Sequence, residues 1–415
     1  MNHPTRRSLL ASAATGTAAF AGAVKERKPA APVVRVEELD RIAARPVLKR
    51  ELFKDPLIID SIRLLKSGNE HFVHVRTKSG AEGISVTQPG RANYLNDALK
   101  QLIIPLFIGK DARSLEDLLW ELYRHDDNYK MYGLMFWSPQ AWVEFAIVDL
   151  LGRVAGKPMG ALFGDIVRQE VPIYVASGRR DTTPEAEVEY LQKLVAESGA
   201  KALKFRVGGR MSRNADASPR RTERLIPMVR KAFPLPFDIH ADSNSSYDPP
   251  MAIKVGRMLE DVKAVYFEEP CPFDHIEDMK IVTDTLTIPV AWGEQEYSDW
   301  RFRNAIATRA ADIMQPDIQY YGGMIRSLRV ARMAQAAGMP TTVHISGGFG
   351  FIYMLHFSSV VPDVGKYQEY KMGVEKYNAW LAAPILVKDG KMSIPQSPGV
   401  GIKDVSALVR DAQPV

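Results

Sequence analysis

The feature that most constrains the fold is an alternation of short apolar runs with amphipathic segments. Segments such as Glu185–Glu197 and Gly323–Ala337 separate the runs and have helical periodicity. Eight runs show the pattern: Pro172–Ser177, Ala202–Val207, Phe237–Asn244, Val265–Glu269, Pro289–Glu294, Asp312–Asp317, Thr341–Ser346 and Gly365–Tyr370. Such alternation is typical of parallel βαβ units, and eight units predict a closed (β/α) barrel. A doubly wound open sheet is the alternative, but no glycine-rich dinucleotide motif follows the early runs.

The residues on either side of the predicted barrel have a different pattern, typical of an α+β domain. Leu57–Leu64 and Glu70–Thr77 are expected to form antiparallel strands, and Ser138–Gly156 a long helix. Leu386–Lys391 has the composition of a hairpin near the C-terminus. We therefore predict a capping domain at residues 33–165, completed by residues 371–415, around a modified TIM-like barrel at residues 166–370.

The first 32 residues resemble a twin-arginine export signal followed by a linker. Arg6 and Arg7 precede an Ala/Gly/Thr-rich, weakly apolar run that extends to Val24. We expect export to the periplasm, or a cytoplasmic protein if this segment is only a basic N-terminus. Cys271 is the only cysteine, which excludes an intrachain disulfide.

Composition narrows the classes of partner. The chain has 415 residues, of which 46% are hydrophobic and 25% charged, and its net charge is +5. Its Lys and Arg residues are scattered, which makes nucleic acid a poor candidate, and no apolar stretch is long enough to predict a stable membrane span. The mild positive charge suits a small anionic substrate. We also expect a homo-oligomer as the assembled form.

Three successive runs end in a carboxylate, and this spacing predicts a metal site. Asp242, Glu268 and Glu294 are each 26 positions apart, so equal βα units would bring them to one height at the carboxyl ends of the strands. Three converging carboxylates repel one another unless a cation neutralises them, and oxygen ligands with open positions favour Mg²⁺. Glu269 competes with Glu268, but adjacent strand residues point to opposite faces and the spacing favours Glu268.

Further charged residues end or line neighbouring runs and are candidates for proton transfer. Lys204 and Arg206 share one face of the second run, which would direct both towards the carboxylates. Asp317 and His344 end the sixth and seventh runs, where the carboxylate would fix the imidazole tautomer and raise its basicity. Glu369 in the eighth run could donate a hydrogen bond to substrate if its site kept it protonated.

These residues together resemble the enolase superfamily, in particular the mandelate racemase/muconate lactonizing enzyme-like group. The resemblance covers the chain after residue 32 and rests on six motifs: Lys204-x-Arg206, Asp242-x-Asn244, Glu268-Glu269-Pro270, Gly293-Glu294, Asp317 before Gly322-Gly323, and His344. It implies that Mg²⁺ on the three carboxylates binds a substrate carboxylate, and that a base removes the adjacent proton to give an enediolate. It also implies that Lys204 contacts the substrate carboxylate, and that loops of the capping domain, for which we nominate Pro46–Pro56, set specificity.

One position departs from the family pattern and favours one reaction over another. Racemases of the group have a second lysine where this chain has Arg206, and a guanidinium stays protonated and is a poor base. Racemisation needs a base on each face of the substrate, whereas β-elimination of water needs only His344. The sequence therefore predicts a hydro-lyase that converts an acid sugar to a 2-keto-3-deoxy acid. A racemase, epimerase or cycloisomerase is the runner-up, and an exported, non-catalytic sugar-acid binding protein is the third hypothesis.

Overall fold

The structure is a computed structural model that describes residues 32–415. The predicted export signal, including Arg6 and Arg7, lies outside the described residues. None of the helices within residues 32–415 is long and apolar enough to cross a membrane.

The first part of the described chain is an antiparallel meander covered by helices. Its elements are α1 (Val36–Ala43), β1 (Ile59–Ser67), β2 (Glu70–Thr77), β3 (Glu82–Val86), α2 (Pro89–Ala98), α3 (Ile104–Phe107), α4 (Leu115–Arg124) and α5 (Leu134–Ala155). The sequence predicted β1 and β2 but not β3, which pairs antiparallel with β2. Helix α5 lies directly on β3, because a Cβ on Gly83 would be 2.3 Å from the carbonyl oxygen of Ala146. This apolar helix is buried along most of its length and forms the centre of the capping domain.

The second part alternates strands with helices, as the apolar runs predicted. Its elements are β4 (Glu170–Ala176), α6 (Pro184–Ser198), β5 (Ala202–Arg206), α7 (Arg221–Ala232), β6 (Asp238–Asp242), α8 (Pro249–Asp261), β7 (Phe267–Glu268), α9 (Ile276–Thr285), β8 (Val290–Trp292), α10 (Asp299–Thr308), β9 (Ile313–Met314), α11 (Met324–Ala336), α12 (Gly350–Val360) and β10 (Gln368–Tyr370). Strands β4 to β9 pair with their neighbours in chain order, all in parallel.

The strands close into a barrel, which confirms the predicted fold and makes the doubly wound alternative wrong. Closure comes from β10, which pairs in parallel with β4, the first strand of the barrel. The predicted seventh strand, Thr341–Ser346, is not a regular strand, since Thr341 and His344 form only isolated bridges with their neighbours. The physical reason is that Pro316, on the neighbouring segment, has no backbone N–H to continue the ladder.

The C-terminal tail contacts both parts of the molecule. It contains β11 (Val387–Lys388), β12 (Lys391–Ser393), α13 (Val405–Val409) and β13 (Gln413–Pro414). Strand β12 pairs antiparallel with β4 of the barrel, whereas β13 pairs antiparallel with β1 of the capping domain. The buried Asp149 on α5 links β3 of the capping domain to the C-terminal tail, because its carboxylate accepts hydrogen bonds from Ile84 N at 2.9 Å and Val400 N at 2.8 Å. The domain limits at residues 33, 166 and 371 stay predictions.

Candidate active site

Three buried carboxylates meet at the carboxyl ends of adjacent barrel strands. Asp242 ends β6 and Glu268 ends β7, and the two residues are direct partners in the parallel register. Glu294 follows β8 after Gly293. One carboxylate oxygen from each residue lies within 4.8 Å of the others, so the three could hold one metal ion. The equal spacing in the sequence thus corresponds to one cluster in space.

The neighbouring Glu269 is also buried, which the expected alternation of strand faces did not predict. Strand β7 has only two residues, and Glu269 follows it with φ of +41°, a left-handed conformation that ends the alternation. Burial and the nearby charges of Glu294 and Glu268 raise the pKa of Glu269 well above its ordinary value. One oxygen of Glu269, Oε1, has no hydrogen-bond partner among the described residues. Glu269 is therefore a buried neighbour of the cluster whose surroundings favour the protonated form, and it is not one of the three clustered carboxylates.

Two cations from β5 contact the carboxylates. Lys204 is fully buried, and its Nζ donates to Glu268 Oε2 at 2.8 Å and lies 3.6 Å from Asp242 Oδ2. Burial disfavours the charged amine, but Glu268 and Glu369 outweigh burial and raise the pKa of Lys204 above its ordinary value. Arg206 forms an ion pair with Asp242, and its Nε donates to the Ser177 carbonyl oxygen at 2.9 Å. Lys204 and Arg206 both remain charged in this arrangement.

A histidine–aspartate pair lies beside Glu294. His344 Nδ1 is 2.7 Å from Asp317 Oδ2, and His344 Nε2 is 3.3 Å from Glu294 Oε2. Asp317 Oδ1 accepts the backbone N–H groups of Gln319 and Tyr320, which leaves Oδ2 for the imidazole. Burial lowers the pKa of His344, but Glu294 and Asp317 outweigh burial and raise the pKa above its ordinary value. The arrangement places the proton on Nδ1 and directs Nε2 towards the carboxylates.

Glu369 on β10 completes the set of predicted residues. The sequence predicted that it would donate a hydrogen bond in its protonated form, whereas the charges around it favour ionisation. Its carboxylate lies 3.7 Å from Lys204 Nζ, 3.6 Å from Lys371 Nζ and 3.9 Å from His344 Nε2. Burial opposes its ionisation, yet these positive groups lower its pKa well below the ordinary value. These charges favour the carboxylate form of Glu369, whereas the predicted hydrogen-bond donation requires the protonated form and stays a prediction.

Besides Lys371, two further residues contact the site that the sequence did not predict. Gln315 Nε2 is 3.3 Å from Glu268 Oε2. Arg180 Nη2 donates to Asn244 Oδ1 at 2.6 Å, and the amide of Asn244 is itself 3.3 Å from Glu294 Oε1. The signal for Arg180 was available, since a double arginine at 179–180 follows the first barrel strand at the end where barrel sites form.

Among residues 32–415, no hydrogen bond or ion pair joins the segment nominated as a lid to the predicted site residues. The backbone of Pro46–Pro56 is held by Glu116 through Val47 N and Leu48 N, far along the chain from the barrel strands. The capping domain instead reaches the loop after β9 through α2, where Arg91 Nε donates to the Tyr320 hydroxyl at 2.7 Å. The start of α2 is therefore the part of the capping domain next to Asp317.

Comparison with known families is consistent with this geometry. Residues 186–404 match the enolase C-terminal domain-like family, and residues 61–164 match the mandelate racemase/muconate lactonizing enzyme N-terminal domain. The chain belongs to the enolase superfamily. It is an enzyme fold of the mandelate racemase-like type, a (β/α) barrel with an N-terminal capping domain.

Several relatives with described activities are acid-sugar dehydratases. An arabinonate dehydratase of Saccharolobus solfataricus is 24% identical over 75% of this chain and 82% of its own. A D-mannonate dehydratase of Sphingomonas sp. is 27% identical over 84% of this chain and 92% of its own. A solved protein of Roseobacter denitrificans, described as a candidate racemase, is 34% identical, has a TM-score of 0.80 and covers 86% of this chain and 99% of its own.

Proposed function

We propose that this protein is an acid-sugar dehydratase, a hydro-lyase that forms a 2-keto-3-deoxy acid. The observation that carries the proposal is that only one of the two walls of the site has a side chain suited to remove a proton. One wall has a histidine–aspartate pair whose Nε2 faces the carboxylates, and the opposite wall has a guanidinium and an ammonium that are both paired with carboxylates. The named activities of the relatives point in the same direction.

His344 is the proposed base. In the neutral imidazole, Nε2 is the unprotonated nitrogen, because the N–H group at Nδ1 donates a hydrogen bond to Asp317 Oδ2 at 2.7 Å. It would take the proton from the carbon next to the substrate carboxylate, and the electron pair left behind would move into that carboxylate. The same imidazolium would then protonate the hydroxyl on the next carbon, which leaves as water while the enol product becomes the 2-keto acid. One residue thus both removes and returns a proton, so the elimination is balanced.

The opposite wall stabilises charge but does not accept protons. Arg206 is bound by Asp242, Asn244 and the carbonyl oxygen of Ser177, and its guanidinium stays protonated. Lys204 is held between Glu268, Asp242 and Glu369, which favour its charged form. We propose that Lys204 binds the substrate carboxylate and stabilises the negative charge that develops there.

We propose that Mg²⁺ is the metal of this site, bound by Asp242, Glu268 and Glu294. The donor set fits, since three carboxylate oxygens within 4.8 Å of one another are hard ligands and leave positions for water and substrate. One structural neighbour, a Paracoccus denitrificans protein solved with magnesium, shares the fold with a TM-score of 0.78 at 24% identity. A bound divalent cation would polarise the substrate carboxylate and lower the barrier to loss of the adjacent proton.

An isomerase is the second candidate, and a specific observation favours it: the 34% identical relative is described as a candidate racemase. Incubation of a library of acid sugars with enzyme and Mg²⁺ in deuterated water separates the two proposals. A dehydratase gives a 2-keto-3-deoxy acid, and any recovered substrate keeps its configuration at the α-carbon. Recovered substrate that is inverted and deuterated at that carbon, without 2-keto acid, would refute the dehydratase and support the isomerase.

We also propose that residues 1–32 direct export to the periplasm, on the basis of Arg6, Arg7 and the weakly apolar run that follows them. A folded fluorescent reporter fused to these residues should reach the periplasm. The double substitution Arg6→Lys and Arg7→Lys should keep it in the cytoplasm, and equal export of both fusions would refute the proposal. The homo-oligomer stays a prediction that light scattering of the purified protein can check.

A further inference from the structure

One arginine at the site has no charge partner. Arg180, in the loop after β4, is half-buried and contacts the site through the neutral amide oxygen of Asn244, at 2.6 Å. Among residues 32–415, no carboxylate oxygen lies within 4.0 Å of its guanidinium, and its buried Nε has no hydrogen-bond acceptor. A guanidinium has five N–H donors and stays charged, so most of the binding capacity of Arg180 is unused.

The groups next to Arg180 favour the binding of an anion beside its guanidinium. Asn244 Oδ1 also accepts from Arg206 Nη1 at 3.1 Å, so two guanidinium groups share one neutral oxygen. Arg206 is neutralised by Asp242, whereas Arg180 is not paired. Two guanidinium groups that share one acceptor repel each other unless a negative charge lies between or beside them.

The loop that carries Arg180 is held in place by a different arginine, which provides an internal comparison. Arg221 on α7 is fully buried and donates to the carbonyl oxygens of Thr182 at 2.8 Å and Arg206 at 3.0 Å. It also lies 4.0 Å from Glu187. Arg221 thus shows how this region satisfies an arginine with a structural role, with carbonyl oxygens and a nearby carboxylate as its partners. Arg180 differs because its hydrogen-bond acceptor among the described residues is the neutral amide oxygen of Asn244.

From this geometry we propose that the substrate carries a second anionic group, remote from the carboxylate at the reacting carbon, and that Arg180 binds it. The proposal rests on the proposed acid-sugar substrate and narrows it to a dicarboxylic acid sugar or a phosphorylated sugar acid. A carboxylate and a phosphate both present a guanidinium with two or three oxygens that share negative charge and can accept its N–H groups. The carboxylate at the reacting carbon is assigned to Lys204, so Arg180 is available for the far end.

Matched pairs of ligands test the proposal. D-glucarate and D-gluconate, or galactarate and D-galactonate, differ only in a carboxylate or a hydroxymethyl group at the far end, and 6-phosphogluconate supplies a phosphate there. Dissociation constants would be measured by calorimetry with Mg²⁺ and the His344→Asn enzyme, so that no ligand is consumed. We expect the doubly charged member of the best-bound pair to bind about 10- to 100-fold more tightly, the scale of a charge-assisted hydrogen bond.

A matched pair of variants assigns the preference to Arg180. Arg180→Gln should reduce the ratio of the two dissociation constants to near one and leave binding of the singly charged ligand within about threefold. Arg179→Gln removes the same charge one residue earlier, where the guanidinium covers the ring of Tyr190 at 4.5 Å, and should keep the ratio.

Each outcome of the binding series decides between the proposals. A preference for carboxylate or for phosphate at the far end identifies the source of the second charge and supports the proposal. Tight binding of singly charged ligands with a ratio near one in the parent enzyme would overturn the second anionic group alone, and so would an equal loss for both ligands in Arg180→Gln. Failure of all sugar acids to bind would overturn the proposed function as well.

Discussion

Replacing Asp317 by asparagine should inactivate the enzyme by reversing the imidazole of His344. Asp317 Oδ1 is committed to the backbone N–H groups of Gln319 and Tyr320, at 2.8 and 2.9 Å. An asparagine must keep its oxygen at that position, since its NH₂ group cannot accept these bonds. The NH₂ group would then face His344 Nδ1 and donate to it. The proton of the neutral imidazole would move to Nε2, which is the nitrogen needed as the base.

The size of the effect follows from the two hydrogen bonds involved. The substitution removes a charge-assisted bond of about 1.5–3 kcal/mol that favours the active tautomer. It adds a neutral bond of about 0.5–1 kcal/mol that favours the inactive one. The sum is about 2–4 kcal/mol, which corresponds to a ~30- to 1000-fold loss of turnover at about 1.4 kcal/mol per factor of ten.

The pH dependence gives a second measurement with a defined sign. A base acts only when unprotonated, so kcat/KM should fall as the pH decreases through the pKa of His344, which is raised by Glu294 and Asp317. Asparagine removes one of these two causes, so the acidic limb of the Asp317→Asn profile should move to lower pH. The double variant with His344→Asn should be no slower than His344→Asn alone. Turnover within about threefold of the parent enzyme, with an unchanged melting temperature and acidic limb, would refute the tautomer argument.

Three further predictions concern the metal, the second base and the fold. Glu268→Gln should weaken Mg²⁺ binding in calorimetric titration by more than ~10- to 100-fold, the range seen for outer-shell changes, while Glu269→Gln should have a smaller effect because Glu269 is not one of the three clustered carboxylates and burial raises its pKa. Arg206→Lys should lower dehydration and introduce slow α-proton exchange on the opposite face, measured by NMR in deuterated water, since a lysine can lose its proton where an arginine cannot. Asp149→Ala should lower the free energy of unfolding by about 2–5 kcal/mol in a denaturant titration, because two buried backbone N–H groups lose their acceptor. Equal magnesium affinity in both glutamine variants would contradict the first prediction. Absence of exchange in the lysine variant would contradict the second, and an unchanged unfolding midpoint in Asp149→Ala would contradict the third.

The parts of the site that the sequence could predict are those fixed by strand periodicity. Asp242 and Glu268 end neighbouring strands in direct register, so equal spacing along the chain becomes proximity in space. Lys204 and Arg206 have the same parity on β5, and both side chains contact the carboxylates. Period-two alternation holds in these strands because their backbones are regular up to the residue concerned.

The parts that the sequence did not predict depend on backbone that leaves the regular conformation. Glu269 is buried beside the cluster because its φ is positive, and no period-two pattern includes such a residue. The seventh strand is reduced to isolated bridges by the missing N–H of Pro316. Arg180 contacts a residue that follows β6, two strands away from its own, so its role depends on loop conformation and not on spacing.

The balance of charge connects the metal, the substrate and the unpaired arginine. Five carboxyl side chains contact the cations and the imidazole of the site: Asp242, Glu268, Glu294, Asp317 and Glu369. Lys204 and Arg206 offset two of the five negative charges that these groups carry when ionised, and a divalent cation would offset two more. One negative charge is left while His344 is the neutral base, and a substrate carboxylate adds a second. Arg180 and Lys371, which lies 3.6 Å from Glu369, are the cations available to offset both. The case for a second anionic group on the substrate therefore rests on the local geometry of Arg180, whose guanidinium contacts only a neutral amide oxygen, and not on the net charge of the site.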